Sequence, residues 1–282
     1  MSPLPSSPLR AARAAAAGLW AVAVATVVLG VHHPAALAAG AVVVLGAAVG
    51  AGALRATLRA AAFAVPLALL LALVNALVVR EGLTVVWRFG TVPALGSVDV
   101  TLEALAFGLL QGGRIVVTVA LLGLVSRAID ADDVLRALRW VSFRSALTAA
   151  LAVRLVPVLA RDARRMADAR GLRADGGAGR IAVLRAVTSS ALDRAVDVAA
   201  TLEVRGYAAA RGTRPAPRPW SRHDLAFTAS GLAVAALGVL VWRAGLAPFA
   251  TYPRIAAGDG WAMAALVPLA LLPFLDRRGI ER

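Results

Sequence analysis

Apolar residues run along this chain in blocks approaching 20 residues, separated by short polar turns and by one long polar stretch past the middle. The blocks are Ala14 to Val31, Ala35 to Leu54, Ala61 to Val79, Leu102 to Val125, Leu225 to Trp242 and Trp261 to Leu275. About 20 helical residues cross the hydrocarbon core of a bilayer, so the pattern predicts about six transmembrane helices. The last block is the shortest and carries Pro268 and Pro273. The polar stretch predicts three more helices, roughly Asp132 to Trp140, Arg144 to Arg170 and Arg180 to Arg205. The expected fold class is all-α, a polytopic helical membrane protein with a three-helix segment between spans four and five. Its expected layout is a tail over 1–13, four spans over 14–126, the polar segment over 127–224, two spans over 225–275 and a tail over 276–282.

The second polar-segment helix changes character along its length. From Ser145 to Ala160 it is nearly apolar, apart from Arg154 and with Pro157 inside. That run is short for a span and carries a charge, so it reads as a helix lying on a membrane face or against partner helices. Its second half, Arg161 to Asp168, alternates charges at helical spacing, as at Arg164 and Asp168, and needs water. Asp175-Gly176-Gly177-Ala178-Gly179 is a linker, and the prolines of Arg211 to Pro219 exclude helix from the return tether.

Composition agrees with the pattern: 60% of residues are hydrophobic and 16% charged. All 30 basic residues are Arg. Without Lys there is no phosphate-binding Gly-Lys-Ser/Thr loop, Schiff-base lysine or kinase lysine. Any ATP used must therefore be bound by another chain. Without Cys there are no disulfides, thiol nucleophiles or thiolate metal sites. Placing both termini on the cytoplasmic side leaves 25 Arg there, four outside (Arg80, Arg88, Arg243, Arg254) and Arg114 within a span. The opposite orientation violates the retention of basic loops in the cytoplasm. An uncleaved first helix is expected, although Ala36-Leu37-Ala38 resembles a signal-peptidase site.

Few residues carry candidate chemistry. His32-His33, in a tight turn before Pro34, could touch a metal, but sequence neighbours rarely converge on one ion. Asp130, Asp132 and Asp133 fit helix capping and first-turn acids better than a metal cluster. Neither a catalytic residue nor a metal site is expected. The basic segment, net +8 over 127–224, has no recognisable nucleic-acid-binding fold or aromatic stacking surface. Part of its charge is expected to hold anionic lipid.

Two short stretches match each other across 35 residues: Asp168-Ala169-Arg170-Gly171-Leu172 and Glu203-Val204-Arg205-Gly206-Tyr207. Each ends a long predicted helix, where glycine suits the left-handed C-cap and Arg suits the negative end of the helix dipole. Capping explains each copy singly. A matched pair points to a shared task, since an Arg fork pairs with carboxylates lining a groove.

These residues resemble the T component of energy-coupling factor transporters, the CbiQ/EcfT-like family. The resemblance covers about residues 14 to 275 and is densest from Thr101 to Arg214. It is carried by Leu102-Glu103-Ala104-Leu105 with Gly108-Leu109 and Arg114, by Asp133 to Leu138, by Arg154-Leu155-Val156-Pro157, and by the two Arg-Gly stretches. The second has Val204 where the family has Ala, and a literal Ala210-Arg211-Gly212 follows it, so Arg211 competes with Arg205 for the second role. The resemblance implies a non-catalytic coupling subunit in the bacterial cell membrane. Two ABC-type ATPases, which use ATP and Mg, would each accept one tip: Ala169, Arg170 and Gly171, or Val204, Arg205 and Gly206. Asp168 and Glu203 would orient the neighbouring Arg. Leu151, Arg154, Leu155, Pro157 and Val158 would contact a separate substrate-binding membrane S component, for uptake of a vitamin or transition-metal ion. This chain would bind no cofactor of its own. A rival reading makes it a stand-alone secondary transporter with a solute or proton path around Arg114, Asn75, Gln111 and Glu103.

Overall fold

Small residues, not large ones, mark where the helices of this chain meet. The computed structural model describes residues 7–79, 82–92, 96–130, 133–135, 143–171, 180–204, 206 and 219–276. The helices are α1 (Pro8–Ala11), α2 (Ala14–Gly30), α3 (Pro34–Gly50), α4 (Leu54–Val78), α5 (Leu102–Ala128), α6 (Phe143–Gly171), α7 (Arg180–Val204), α8 (Arg222–Ala244) and α9 (Leu266–Leu271). Short 3-10 turns, Trp261–Ala265 and Leu272–Phe274, flank α9. Two antiparallel hairpins complete the described structure: β1 (Val85–Val92) with β2 (Gly96–Thr101), and β3 (Phe249–Ala250) with β4 (Ala256–Ala257). Contacts divide the chain into two units, Met1–Asp133 with Trp220–Arg282, and Val134–Pro219. The chain is thus a helical membrane protein, with almost all of its described regular structure in helices.

In the first unit α4, α5 and α8 are long and apolar enough to cross a membrane, and α2, α3 and Trp261–Phe274 are shorter apolar helices. On α4 the buried side chains are Thr57, Ala64, Ala68, Ala72 and Ala76, while Phe63, Leu67, Leu70 and Leu73 are exposed. Lipid is as apolar as leucine, so burying leucine gains little there. Close backbone approach through small residues drives the contact instead. The partner stripe on α5 is Ala104, Gly108 and Gly112, one residue per turn. A Cβ on Gly108 would lie 2.7 Å from Ala72 Cα, and one on Gly112 would lie 2.8 Å from the Ala68 carbonyl oxygen. The two helices therefore touch backbone to backbone.

A second seam joins α2 to α8, where a Cβ on Gly231 would meet Trp20 Cα at 3.0 Å. Trp20, Phe227 and Phe274 form an edge-to-face cluster with centroids 5.2–6.0 Å apart. This cluster explains how the proline-broken last span is accommodated. Pro273 has no N–H to give the carbonyl of Leu269, four residues earlier. That carbonyl accepts from Ser230 Oγ at 2.6 Å. Past Leu271 the α ladder gives way to a 3-10 turn, and the Ala270 carbonyl accepts from Trp20 Nε1 at 3.0 Å. Side chains from α8 and α2 thus replace the missing backbone donors.

The two ends of this unit are closed differently. At one end Asp224 is fully buried and serves three donors: Arg13 N–H (2.7 Å), Arg13 Nε (3.2 Å) and Ser221 N–H (2.9 Å). Ser221 and Asp224 form a capping box on α8, and Arg10 donates to the Arg127 carbonyl nearby in the chain of contacts. At the other end His33 Nδ1 accepts from Ala35 N–H, which leaves its Nε2–H to donate to the Gly258 carbonyl, both at 3.0 Å.

Three features differ from the pattern-based expectation. The third span begins at Leu54 rather than Ala61, because Arg55 and Arg59 are exposed and do not interrupt the helix. The last span is a short α-helix between 3-10 turns, for the proline reason above. The loop between α4 and α5 holds the β1–β2 hairpin, which the search for apolar blocks passed over.

Replacing Gly112 with Leu is expected to force α4 and α5 apart and lower stability by about 1–3 kcal/mol, the usual range for overpacking. Gly18→Ala, where nothing lies within 4 Å of the added atom, should leave the melting temperature in detergent unchanged or raised. Ser230→Ala removes the hydroxyl that donates to the Leu269 carbonyl and should cost about 1–3 kcal/mol in the same melting experiment.

Candidate functional site

The second unit contains two long amphipathic helices whose sequences carry the paired Arg-Gly stretches. α6 extends from Phe143 through Gly171, and Pro157 lies inside it without ending it. α7 runs from Arg180 to Val204. Between Val134 and Pro219 no described residue is buried, which sets this unit apart from the bundle. Its described apolar side chains include Val153 (47% exposed), Val156 (65%), Leu184 (64%), Leu192 (63%) and Val196 (68%). Helices that keep so much apolar surface in the open are built for a partner or a membrane.

The helices meet through Asp162 and Arg194, whose charged atoms lie 3.3 Å apart. Both are partly exposed, so the pair is worth at most about 1 kcal/mol and acts by orienting the helices. By helical spacing Leu151, Leu155, Val158 and Asp162 share one stripe of α6. Leu151, Leu155 and Val158 are partly covered. Arg154 and Pro157 are exposed, as are Val153 and Val156. The five residues expected to touch a substrate-binding subunit therefore lie on two faces. The inner stripe adjoins the α6–α7 contact, and the outer one is more fully displayed by Val153 and Val156. On α7, Ile181, Leu184, Leu192 and Val196 fall on a single exposed face. That second stripe was readable from spacing, but a search for spans discards apolar positions mixed with Asp and Arg.

Both Arg-Gly stretches end their helices. Gly171 is the last helical residue of α6. Gly206 has φ +71°, the left-handed conformation of a helix C-cap, and its N–H reaches the Glu203 carbonyl at 2.8 Å. Asp168, Ala169, Glu203 and Val204 are exposed, Val204 at 89%. Arg205 and Arg211 lie outside the described residues, as does the side chain of Arg170. From the Asp162–Arg194 contact, the arm to Arg170 is eight residues or about 12 Å along α6, and the arm to Val204 is ten residues or about 15 Å along α7.

The other sequence candidates resolve into structural bonds. Arg114 is 5% exposed, pairs with Gln111 on its own helix and donates to the Val31 carbonyl at 3.3 Å. Helical side chains lean toward their N-terminus, so Arg114 carries its charge to the C-terminal cap of α2, the negative end of that helix dipole. Asn75 donates instead to the Leu71 carbonyl within α4, and Glu103 accepts from Thr84 N–H. These bonds of Asn75 and Glu103 lead away from Arg114. His32 sits on the Gly30 carbonyl while His33 closes the far end of the bundle. Asp133 N–H reaches the Asp130 carbonyl, and 133–135 are helical, in keeping with a helix start there. The rest of that first polar-segment helix and the 175–179 linker lie outside the described residues. Among the described residues no group of three His, Cys, Asp or Glu could hold a metal ion.

The arrangement has no catalytic constellation among its described residues. It offers two exposed helix tips, a shared pivot and open apolar faces. A family described as CbiQ, cobalt transport protein, matches residues 10–215, a stretch holding spans one to four and both helix tips. No curated protein matches the chain. With the match covering most of the sequence, this chain belongs to the CbiQ cobalt transport protein family.

Proposed function

We propose that this chain is the transmembrane coupling subunit of an energy-coupling factor importer in a bacterial cell membrane. Two ABC-type ATPase subunits bind and hydrolyse ATP with Mg, and this chain binds neither. Arg170 docks into one ATPase and Arg205 into the other, flanked by Ala169 and Gly171 and by Val204 and Gly206. Asp168 and Glu203 hold each Arg in its docking direction. The observation that carries this reading is the matched termination of two long exposed helices at acidic-x-Arg-Gly.

The mechanics follow from the helix pair. Closure of the ATPases on nucleotide moves the two tips relative to each other, and the weak Asp162–Arg194 contact lets the arms swing about a common point. A substrate-binding membrane subunit resting on the open apolar faces, Val153 and Val156 with the adjacent Arg154 and Pro157, then rocks with the helices. The excess of Arg over the segment 127–224 supports a cytoplasmic location for the helices and both termini. The cargo is a transition-metal ion or a vitamin, and the family's description supports cobalt as the first to try.

Reversing both charges, Arg170→Glu with Arg205→Glu, is expected to abolish co-purification of the ATPase subunits while the membrane protein stays inserted. Each single reversal should weaken binding by about 30-fold or more, as for loss of one partner in a buried charged contact. Arg211→Glu should have little effect if Arg205 is the second tip. ATPases retained by the double variant, or solute transport by this chain alone in liposomes without ATP, would overturn the coupling role.

A further inference from the structure

We propose that the β1–β2 hairpin is a membrane anchor, lying in the headgroup layer on the face opposite the Arg13–Asp224 end, with Leu83, Val86 and Trp87 set into the acyl boundary of that leaflet. The hairpin follows α4 directly. Val78, the last residue of α4, is 59% exposed, and Leu83, Val86 and Trp87 are 60%, 55% and 63% exposed. The exposed apolar residues of α4, among them Leu67, Leu70, Leu73 and Val74, are therefore followed, past Arg80-Glu81 and on either side of Thr84, by further exposed apolar residues at the start of the hairpin.

Two constraints fix the depth. A two-stranded sheet leaves unpaired backbone groups on both edges, and these exclude it from the hydrocarbon core. Its first strand also opens on three apolar residues in succession, Val85, Val86 and Trp87, across a register irregularity, and all three are exposed. An isolated two-stranded hairpin is marginally stable at best in water. The interfacial layer is the one environment that hydrates the edges and accepts the side chains, and tryptophan is enriched there. The hairpin also pairs Arg88 with Asp99 across the strands, which suits a headgroup setting.

The hairpin is held at its root. Glu103, 2% exposed, receives Thr84 N–H, Leu102 N–H reaches the Thr84 carbonyl at 2.9 Å, and Thr101 caps α5 through Ala104 N–H. Two other exposed tryptophans belong to the same end. Trp242 stands in the last turn of α8, which carries Asp224 in its first turn, and Trp261 follows Gly260, which abuts His33. Arg243 lies over the Trp242 ring, 5.6 Å from its centroid. Trp87, Trp242 and Trp261 thus ring one end of the bundle.

The chain's lack of Cys makes the test direct. Val86→Cys and Leu83→Cys, each carrying a polarity-sensitive fluorophore, are reconstituted without partner subunits in phosphatidylcholine vesicles, with Leu70→Cys as the mid-span reference. The expected result at both hairpin positions is blue-shifted emission, quenched more by a nitroxide near the headgroup than by one deep in the acyl chain. Leu70→Cys should show the opposite order. Red emission with efficient iodide quenching would overturn the proposal by placing the hairpin in water. Shielding that arises only when a partner membrane subunit is added would overturn it in favour of a protein contact. The replaced side chains are exposed, so melting temperatures should match the unlabelled parent, and agreement between the two sites guards against a local disturbance at one.

Discussion

A backbone carbonyl in hydrocarbon must find a donor within the protein, and the architecture of the bundle turns on how that demand is met where prolines remove the usual one. The last span cannot satisfy itself, because Pro273 has no N–H for Leu269. Ser230 on α8 and Trp20 on α2 supply what is missing. Those bonds fix where the span sits, and the three-ring cluster of Trp20, Phe227 and Phe274 fills the space around them. At the Arg13 end the same two helices are joined again through Asp224. Arg114 follows this logic in reverse. It is a donor-rich group inside a span that relieves the end of α2 by reaching the Val31 carbonyl.

Elsewhere the bundle is held by closeness. Gly108 and Gly112 let α5 lie against Ala72 and Ala68 of α4, leaving the larger side chains for lipid. Such a seam tolerates little change in either partner, and it gives the first unit the character of a fixed frame. The second unit is of a different make. None of its described residues is buried, and the Asp162–Arg194 ion pair between its helices is partly exposed. A frame built on backbone contact and a helix pair built on open surface are the division of labour that the proposed coupling role calls for.

Much of this was legible along the chain, and the remainder was hidden for definite reasons. Runs such as Leu225 to Trp242 announce themselves because lipid demands continuous apolarity, and the ends of α6 and α7 were marked by glycine after Arg. The β1–β2 hairpin was not, since Val85 to Val92 is too short for a span and too apolar for a loop. The strand also lacks a clean two-residue alternation, because Val85, Val86 and Trp87 are apolar in succession where the ladder is irregular. Trp20 and Ser230 gave no sign of their role, because the donors they replace belong to a segment some 40 to 250 residues away. Arg114 was conspicuous by its charge, yet its partner is a main-chain carbonyl at Val31, and no sequence spells that out. Leu151, Leu155 and Val158 stood out as apolar, but whether such a residue faces a sister helix or a foreign one depends on where α7 lies.

The α2–α8 seam has a consequence for how the molecule is made. α4 and α5 are neighbours in the chain and can close on each other as soon as both are in the membrane. α2 precedes both of them in the chain, but its backbone partner Gly231 comes 211 residues after Trp20. At typical synthesis rates that interval is roughly 10–40 s. For that time the indole of Trp20 lacks the Ala270 carbonyl and Arg13 lacks Asp224. The α2–α8 seam is therefore among the last contacts of the bundle to close, although one of its two helices is in place long before the other.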